Sequence, residues 1–407
     1  MNTLVLVMGL VGLSYLSGLL GRGRSVRGLG LPSGSEWIVL GFLLGPDLLG
    51  IVDRAVQLDV EPVLYISLGW VALVIGVDYG VVRTRYLSRR RLLLGAGLGL
   101  LTVGCVATAA WFLIPYVEPG HTRLERWVLA LGLGAVASET TSNAVRWVAE
   151  RHAATGPLSE LLDDLAEAKE IAPILVACVG LCLHPRFDLG HRTWLNASAL
   201  PIGLVAVGIV LGLVASVMLS REERTDQSWG ILVGIGLLAA GTAARARLPV
   251  VAALFALGMA LGFTSRHRRR ILAMIEPTRR SALVPALLLA GARIGPQTIM
   301  RHALIVGAVL VVRVIVLHGI ALFVRLPDSA RAATPLIGWS MMPAGEITMC
   351  IGLSFALTFR GNLGDTVLLT AAIVTLVGEI IGPLSLRAAL MRAGEIQTES
   401  VTAEEAT

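Results

Sequence analysis

Residues 165–183 read LAEAKEIAPILVACVGLCL, a charged turn that leads into an apolar run. Lys169 in this stretch is the only lysine of the chain, which otherwise uses arginine, and it stands next to Glu170. As a helix, the residues from Ile171 to Leu183 rise about 20 Å, which places Glu170 nearer the middle of a bilayer than its surface. The stretch therefore predicts a membrane helix with a lysine and a carboxylate at depth.

The whole chain has the composition of a membrane protein. Its 407 residues are 55% hydrophobic and 15% charged, with a mean hydropathy of +0.77. Continuous apolar segments recur along the length, which indicates an all-α polytopic protein rather than a β-barrel. The net charge of +6 comes from arginines in short loops and does not indicate nucleic-acid binding. Without a nucleophile–base set or a clustered metal-ligand motif, we expect neither an enzyme nor a cofactor.

Hydropathy predicts about thirteen membrane spans. Their approximate ranges are 3–20, 35–51, 61–81, 92–114, 126–148, 158–183, 197–219, 229–245, 248–264, 281–295, 300–324, 334–358 and 365–387. We expect one transmembrane domain over residues 1–387, followed by a short, acidic, disordered tail over 388–407. The arginine-rich loops follow odd-numbered spans, which predicts an outside N-terminus and a cytoplasmic C-terminus in a bacterial inner membrane.

Ionisable groups inside predicted spans are candidates for function, because charge at bilayer depth is costly. Asp78 and Arg293 fall near span ends and can reach an interface. Arg313 lies well inside its span and requires an acidic partner. Glu379 is expected to pair with an arginine. For Asp78, Arg293 and Arg313 a structural or coupling role is as reasonable as transport, whereas for Glu379 a structural role is favoured.

A run of five polar residues interrupts the fifth span, GAVASETTSNAVRWV over residues 134–148. These residues are Glu139, Thr140, Thr141, Ser142 and Asn143. Short hydroxyl and amide side chains there can satisfy unwound backbone or offer oxygen ligands to a cation. A polar contact between helices is the alternative, but it explains Glu139 poorly.

Carboxylates also enter the sixth span. Asp163, Glu167 and Glu170 share one helix face, with Asp163 expected to be solvated near the entry. Lys169 favours an ionised Glu170, whereas burial disfavours charge on either group. This competition suits the pair to proton exchange.

The twelfth span contains WSMMPAGEITMCIGL over residues 339–353. Glu346 follows Pro343 and Gly345, which predict a helix break. Interrupted helices in two halves of a chain point to the binding site of a secondary transporter. Alternatively, this is a kinked packing helix whose glutamate pairs with an arginine.

Seven motifs in order resemble the monovalent cation:proton antiporter superfamily, on its Kef-type and related bacterial Na⁺(K⁺)/H⁺ exchanger branch. They are LPSGSEWIVLGFLLGPDLLGIV, ALVIGVDYGVVRTR, TTSN, KEIAPIL, SALVPALLLAGARIG with PAGE, and IIGPLSLRAALMRAGE. The resemblance implies an inverted-repeat, NhaA-like fold with dimerisation and core subdomains, crossed discontinuous helices and a homodimer. It also implies alternating access, with membrane lipids and an additional cytoplasmic regulatory protein as possible partners.

Carried over by position, Glu170 takes the place of the family's essential aspartate, and Lys169 that of its polar neighbour. Glu170 would then hold Na⁺ or K⁺, and Glu167 replaces it if the alignment is displaced by one turn. The sequence departs from the family pattern at Ala344, where the PRGE motif has arginine. Lys169 is expected to supply the missing positive charge, because an amine can lose its proton when buried and a guanidinium cannot.

Two functions follow from these observations. The first is a secondary antiporter in which Glu170 binds either a proton or a monovalent cation, with Lys169 as its charge partner. The second is a transport-impaired relative that acts as a membrane sensor or partner subunit. In that case a permanent Lys169–Glu170 salt bridge replaces the ion.

Overall fold

The computed structural model describes residues 34–83, 89–183, 193–222, 225–245, 249–323, 328–359 and 361–396. The described residues are mostly helical and contain no β-strand. The α-helices are α1 Glu36–Leu44, α2 Arg54–Asp59, α3 Glu61–Arg83, α4 Arg89–Val117, α5 Arg123–Ser138, α6 Ser142–Arg151, α7 Pro157–Lys169, α8 Ile171–Cys182, α9 Thr193–Ser220, α10 Thr225–Arg245, α11 Val250–Thr264, α12 Arg268–Arg293, α13 Pro296–Phe323, α14 Thr334–Ser340, α15 Glu346–Thr358 and α16 Asn362–Arg392, with a 3₁₀-helix at Asp328–Ala333.

The helices pack as two groups. Helices α1 to α3 and α9 to α12 pack mainly with one another, and we call this group the α3 bundle. Helices α4 to α8 and α13 to α16 form the second group, the crossing bundle. Contacts between the two bundles are few and involve mainly α3, α9, α11 and α12 on one side and α8, α15 and α16 on the other. Apart from Asp78 on α3 and Arg293 on α12, the candidate site residues lie in the crossing bundle.

Glycines allow close backbone contact at the centre of the α3 bundle. Gly76 and Gly80 on α3 face Gly258 and Gly262 on α11. A Cβ atom added at Gly258 would lie 2.3 Å from the carbonyl oxygen of Leu73. The GVDYG and GMALG sequences are small-xxx-small patterns, which let membrane helices approach closely. The α3–α11 contact therefore depends on glycine.

Gly258→Leu is expected to separate α3 from α11, because the obstructing atoms belong to backbone and cannot move aside. We expect a loss of stability of at least about 3 kcal/mol, at the upper end for overpacking. The measurement is the unfolding temperature and the size-exclusion profile in detergent. Gly234→Leu is the control, because a Cβ at Gly234 meets nothing within 4 Å. Equal profiles for the two variants would contradict the packing argument.

The prediction of about thirteen spans is wrong. Within the described residues, six helices are long and apolar enough to cross a membrane. Their spans are Glu61–Val81, Arg91–Val117, Ile202–Ser220, Gln227–Arg245, Pro296–Leu322 and Asn362–Arg392. The fifth, sixth and twelfth predicted spans are each broken into two helices, and the second forms only a short helix. The first predicted span, 3–20, lies outside the described residues.

The last helix extends into the segment that was predicted to be a disordered tail. Helix α16 continues to Arg392, so the first residues of the predicted disordered segment 388–407 are helical. Glu395 then accepts hydrogen bonds from the backbone N–H groups of Leu158 and Ser159 in the first turn of α7. Because Gly156, before that helix, has no side chain to cap it, Glu395 supplies the cap. Residues 397–407 lie outside the described part of the chain.

Candidate ion-binding site

Two interrupted helices meet at the predicted polar run. The first break separates α5 from α6 at residues 139–141, and the second separates α14 from α15 at residues 341–345. The Thr141 N–H donates a 3.0 Å hydrogen bond to the Pro343 carbonyl, and the Thr140 hydroxyl donates to the Met341 carbonyl at 2.9 Å. Each break thus satisfies backbone groups that the other exposes, as unwound chain in a membrane requires.

Arg313 binds carbonyl groups at the carboxyl-terminal ends of the two helices that precede the breaks, α5 and α14. Its side chain is fully buried, and Nη2 donates to the carbonyl oxygens of Glu139 at 2.7 Å and Met342 at 2.9 Å. These residues follow the last turns of α5 and α14, where helix dipoles concentrate negative charge. The sequence predicted an acidic partner, but the hydrogen-bonded partners are main-chain carbonyls.

Glu139 binds the amino-terminal end of α15. Its Oε2 accepts hydrogen bonds from the backbone N–H groups of Gly345 at 3.1 Å and Thr348 at 2.6 Å. The side chain is 1% exposed. A carboxylate placed on free N–H groups at a helix start is favoured by both the hydrogen bonds and the dipole. This geometry gives Glu139 a structural task at the second break.

Glu170 binds the corresponding end of α6. Its Oε1 accepts from the Ser142 backbone N–H and from the Ser142 hydroxyl, each at 3.1 Å. Unlike Glu139, Glu170 is only half-buried. It occupies the junction between α7 and α8, where the sixth predicted span is interrupted. A carboxylate with remaining exposure at this position can still meet an ion or a proton from water.

Lys169 is fully buried and points to a different partner from its neighbour. Its Nζ donates a 3.0 Å hydrogen bond to the Thr140 hydroxyl in the first break. The adjacent Glu170 instead contacts Ser142. Adjacent side chains on a helix point in different directions, so the sequence neighbours are not a contact pair here. Lys169 and Glu170 therefore contact two different residues at the first break, Thr140 and Ser142.

Arg146 on α6 forms ion pairs with two carboxylates of α7. It contacts Asp163 at 3.1 Å and Glu167 at 3.2 Å. Asp163, which was expected to be solvated, keeps a side chain that is 30% exposed and is also paired with Arg146. Sequence reasoning also missed Arg146, although its position four residues after Ser142 places both on one face of α6.

Asn143 and Glu346 line a cavity of about 220 Å³ between the two bundles. Arg279 and Glu276 of α12 line its other side, together with Gly34 and Trp37. The Glu346 carboxylate forms a 2.5 Å ion pair with Arg279 Nε. The sequence analysis left open whether Glu346 pairs with an arginine, and in the structure it does.

The remaining interior charges lie away from this junction or in other contacts. Glu379 on α16 accepts a hydrogen bond from the Ser35 hydroxyl. Arg293 is the last residue of α12, and its Nη1 has no hydrogen-bond partner within the described residues. Asp78 is half-buried on α3. The structure does not bring Arg293 into contact with the carboxylates at the breaks.

A second buried carboxylate cluster was not predicted. Glu118, just after α4, contacts His302 at 2.5 Å, His121 at 2.8 Å and Thr366 at 3.1 Å. Burial acts to raise the pKa of Glu118, but the hydrogen bonds from His302 and His121 outweigh it and lower the pKa. His121, in the loop between α4 and α5, is part of this cluster.

Interrupted helices whose free ends hold carboxylates and an arginine at depth define a secondary transporter. The comparison with protein families agrees with this class. The profile described as "Sodium/hydrogen exchanger, transmembrane" matches residues 12–392, and the chain belongs to this family. It is a membrane transport protein and not an enzyme.

The fold is also that of a solved antiporter. A structure of the sodium proton antiporter MjNhaP1 from Methanocaldococcus jannaschii at pH 8 matches with a TM-score of 0.68 and 13% identity, covering 97% of this chain and 99% of that one. An electron-microscopy structure of MjNhaP1 matches with a TM-score of 0.66 and 15% identity over the same shares. At this identity the likeness concerns the fold. No curated protein sequence matches significantly.

Proposed function

We propose that the protein exchanges a monovalent cation, Na⁺ or K⁺, for protons by alternating access, with Glu170 as the shared carboxylate. One observation carries the proposal. Glu170 is a half-buried carboxylate at the start of α6, bound through a single oxygen to Ser142, where two interrupted helices meet. Its other oxygen is the acceptor that a proton or cation would use.

Exchange follows from competition for that carboxylate. A proton and a metal cation bind the same oxygens, so occupancy by one excludes the other. Ser142, Asn143 and the Thr141 backbone region offer further oxygen atoms of the kind that hard cations prefer. Glu139 does not fit this task, because it is only 1% exposed and its carboxylate is bound to the N–H groups at the start of α15, whereas Glu170 is half-buried. Glu139 and Arg313 instead hold the breaks in the geometry that Glu170 needs.

The second function, a sensor with a tethered ion pair, requires Lys169 to occupy the Glu170 carboxylate. The side chains instead bind Thr140 and Ser142 respectively. This separation supports the exchange proposal, because it leaves the Glu170 carboxylate without a lysine on it.

Lys169 substitutions test whether the amine takes part in proton exchange. Lys169→Arg keeps a charge that cannot be lost, and Lys169→Ala removes the group altogether. We expect both variants to move the pH of half-maximal exchange by more than about half a unit, measured by dye dequenching in vesicles. If both keep wild-type exchange and an unchanged pH profile, Lys169 has only a packing role.

Reconstituted vesicles test the proposed function itself. The purified protein is placed in liposomes with an internal pH-sensitive dye, a pH gradient is imposed, and Na⁺, K⁺ or Li⁺ is added in turn. Recovery of the dye signal with at least one cation is the expected result. Silence for every cation between pH 6 and 9, from protein that is folded by size-exclusion, would reject exchange and favour the sensor function.

The same proposal extends to assembly and orientation. We propose a homodimer in a bacterial inner membrane, with the N-terminus outside and the C-terminus in the cytoplasm. We also propose that the fold is an inverted repeat divided into dimerisation and core subdomains. A cytoplasmic regulatory partner is a further part of this proposal. Cross-linking in native membranes tests the dimer, and labelling of single introduced cysteines from either side of the membrane tests the orientation.

A further inference from the structure

The ion pair between Arg279 and Glu346 differs from the other charged contacts near the site in joining two bundles. Arg279 lies on α12 of the α3 bundle, and Glu346 begins α15 of the crossing bundle. Each of the two side chains is only 11% exposed. Breaking a buried pair by removing one partner is strongly destabilising, because it leaves an uncompensated charge. The contact therefore favours the arrangement of bundles seen here.

In the part of the chain that the structure describes, Arg279 has a second ion-pair partner, and Glu346 does not. Arg279 also contacts Glu276, one turn earlier on its own helix, at 3.3 Å. Glu346 makes no second ion pair within the described residues. Ala344, two residues before it, stands where the family's PRGE pattern has arginine. A displacement of the crossing bundle would thus leave Arg279 paired and Glu346 without a counter-ion.

We propose that Arg279 is a positioning residue, a counter-ion that neutralises Glu346 in this arrangement of the bundles and is withdrawn when the crossing bundle moves. The 220 Å³ cavity beside the pair gives water access to the carboxylate once it is freed. The pair therefore biases the equilibrium between two bundle arrangements, whichever cation is carried.

Distance measurements test this bias without requiring transport. In a background with Cys105, Cys178, Cys182 and Cys350 replaced by alanine, Glu160→Cys on α7 and Arg266→Cys before α12 carry spin labels, one on each bundle. We expect Arg279→Gln and Glu346→Gln to change the ratio of the two distance populations in vesicles by at least about threefold, in the same direction. The Arg279→Gln/Glu346→Gln double variant should show no further change.

A variant with the two charges swapped, and a matched control variant, make the test more specific. Arg279→Glu combined with Glu346→Arg should bring the ratio back to within about twofold of the background. Arg280→Gln removes the next guanidinium, whose partner Glu36 belongs to the same bundle, and should leave the ratio unchanged. If Arg279→Gln fails to fold, Arg279→Lys should give an intermediate ratio. Unchanged ratios in Arg279→Gln and Arg279→Lys, or equal effects of Arg280→Gln, would overturn the proposal.

The importance of this ion pair for transport rests on the proposed function, but the experiments can reject the two proposals independently. If the wild-type protein exchanges no cation, the antiport proposal fails while the distance ratios still test the ion pair. If the wild type exchanges and Arg279→Gln changes neither the exchange rate nor the ratio, only the role of Arg279 is rejected.

Discussion

Glu170→Gln is expected to reduce cation-dependent proton exchange to the level of empty vesicles. The amide has nearly the same size and can still accept the Ser142 hydrogen bonds through its oxygen. It cannot release a proton or hold a cation by charge, so both halves of the exchange are removed together. Dye dequenching and radioactive Na⁺ uptake in the same vesicle preparation measure the two halves independently.

The control for this variant is Glu160→Gln in the exposed first turn of the same helix. It removes one carboxylate from α7 without touching either break, and exchange should stay at the wild-type rate. Glu167→Gln decides between neighbouring turns. If that variant abolishes exchange while Glu170→Gln retains it, the shared carboxylate is Glu167 and the proposed site is misplaced by one turn.

The breaks were predictable because their causes are local. Pro343 and Gly345 both disfavour a continuous helix, and five consecutive polar residues do not suit a lipid-facing helix. The number of spans was not predictable in the same way. A hydropathy window averages over an interruption, so α5 with α6, or α14 with α15, are each counted as one continuous span.

The partners of the charges were harder to infer than their positions. Arg313 binds main-chain carbonyls, which every residue possesses and no sequence pattern marks. Arg279 lies in an arginine-rich stretch that the sequence analysis used only for orientation. Lys169 and Glu170 were grouped because they are adjacent, yet side chains at i and i+1 on a helix do not face each other. Tertiary packing, rather than spacing along the chain, selected each contact.

Considered together, the contacts distribute charge according to the ends of the broken helices. Carboxylates meet the amino-terminal ends, Glu139 at α15 and Glu170 at α6, and Arg313 meets both carboxyl-terminal ends. Such placement is favoured by the helix dipole and by the unpaired backbone groups. Glu170 differs from the others in being half-buried, so its carboxylate keeps the exposure to water that the proposed exchange requires.

Arg313→Leu is expected to prevent the protein from accumulating in folded form. The substitution leaves the carbonyls of Glu139 and Met342 without their buried donor, at roughly 1–3 kcal/mol for each. It also removes a fully buried positive charge that acts electrostatically on the Glu139 carboxylate. Together these losses approach the lower end of the stability of an ordinary domain. The measurement is the yield of monodisperse protein by fluorescence-detected size-exclusion chromatography.

Two further variants test whether the buried charge of Arg313, rather than any arginine on α13, is what folding requires. Lysine restores a buried cation and a donor, so Arg313→Lys should recover folded protein with a lowered unfolding temperature. Arg301 lies on the exposed start of the same helix, where it contacts Asn362, and Arg301→Gln should match the wild type. Wild-type yield and unfolding temperature for Arg313→Leu would show that the carbonyls at the two breaks are satisfied in another way, and the electrostatic account of the crossing would then be wrong.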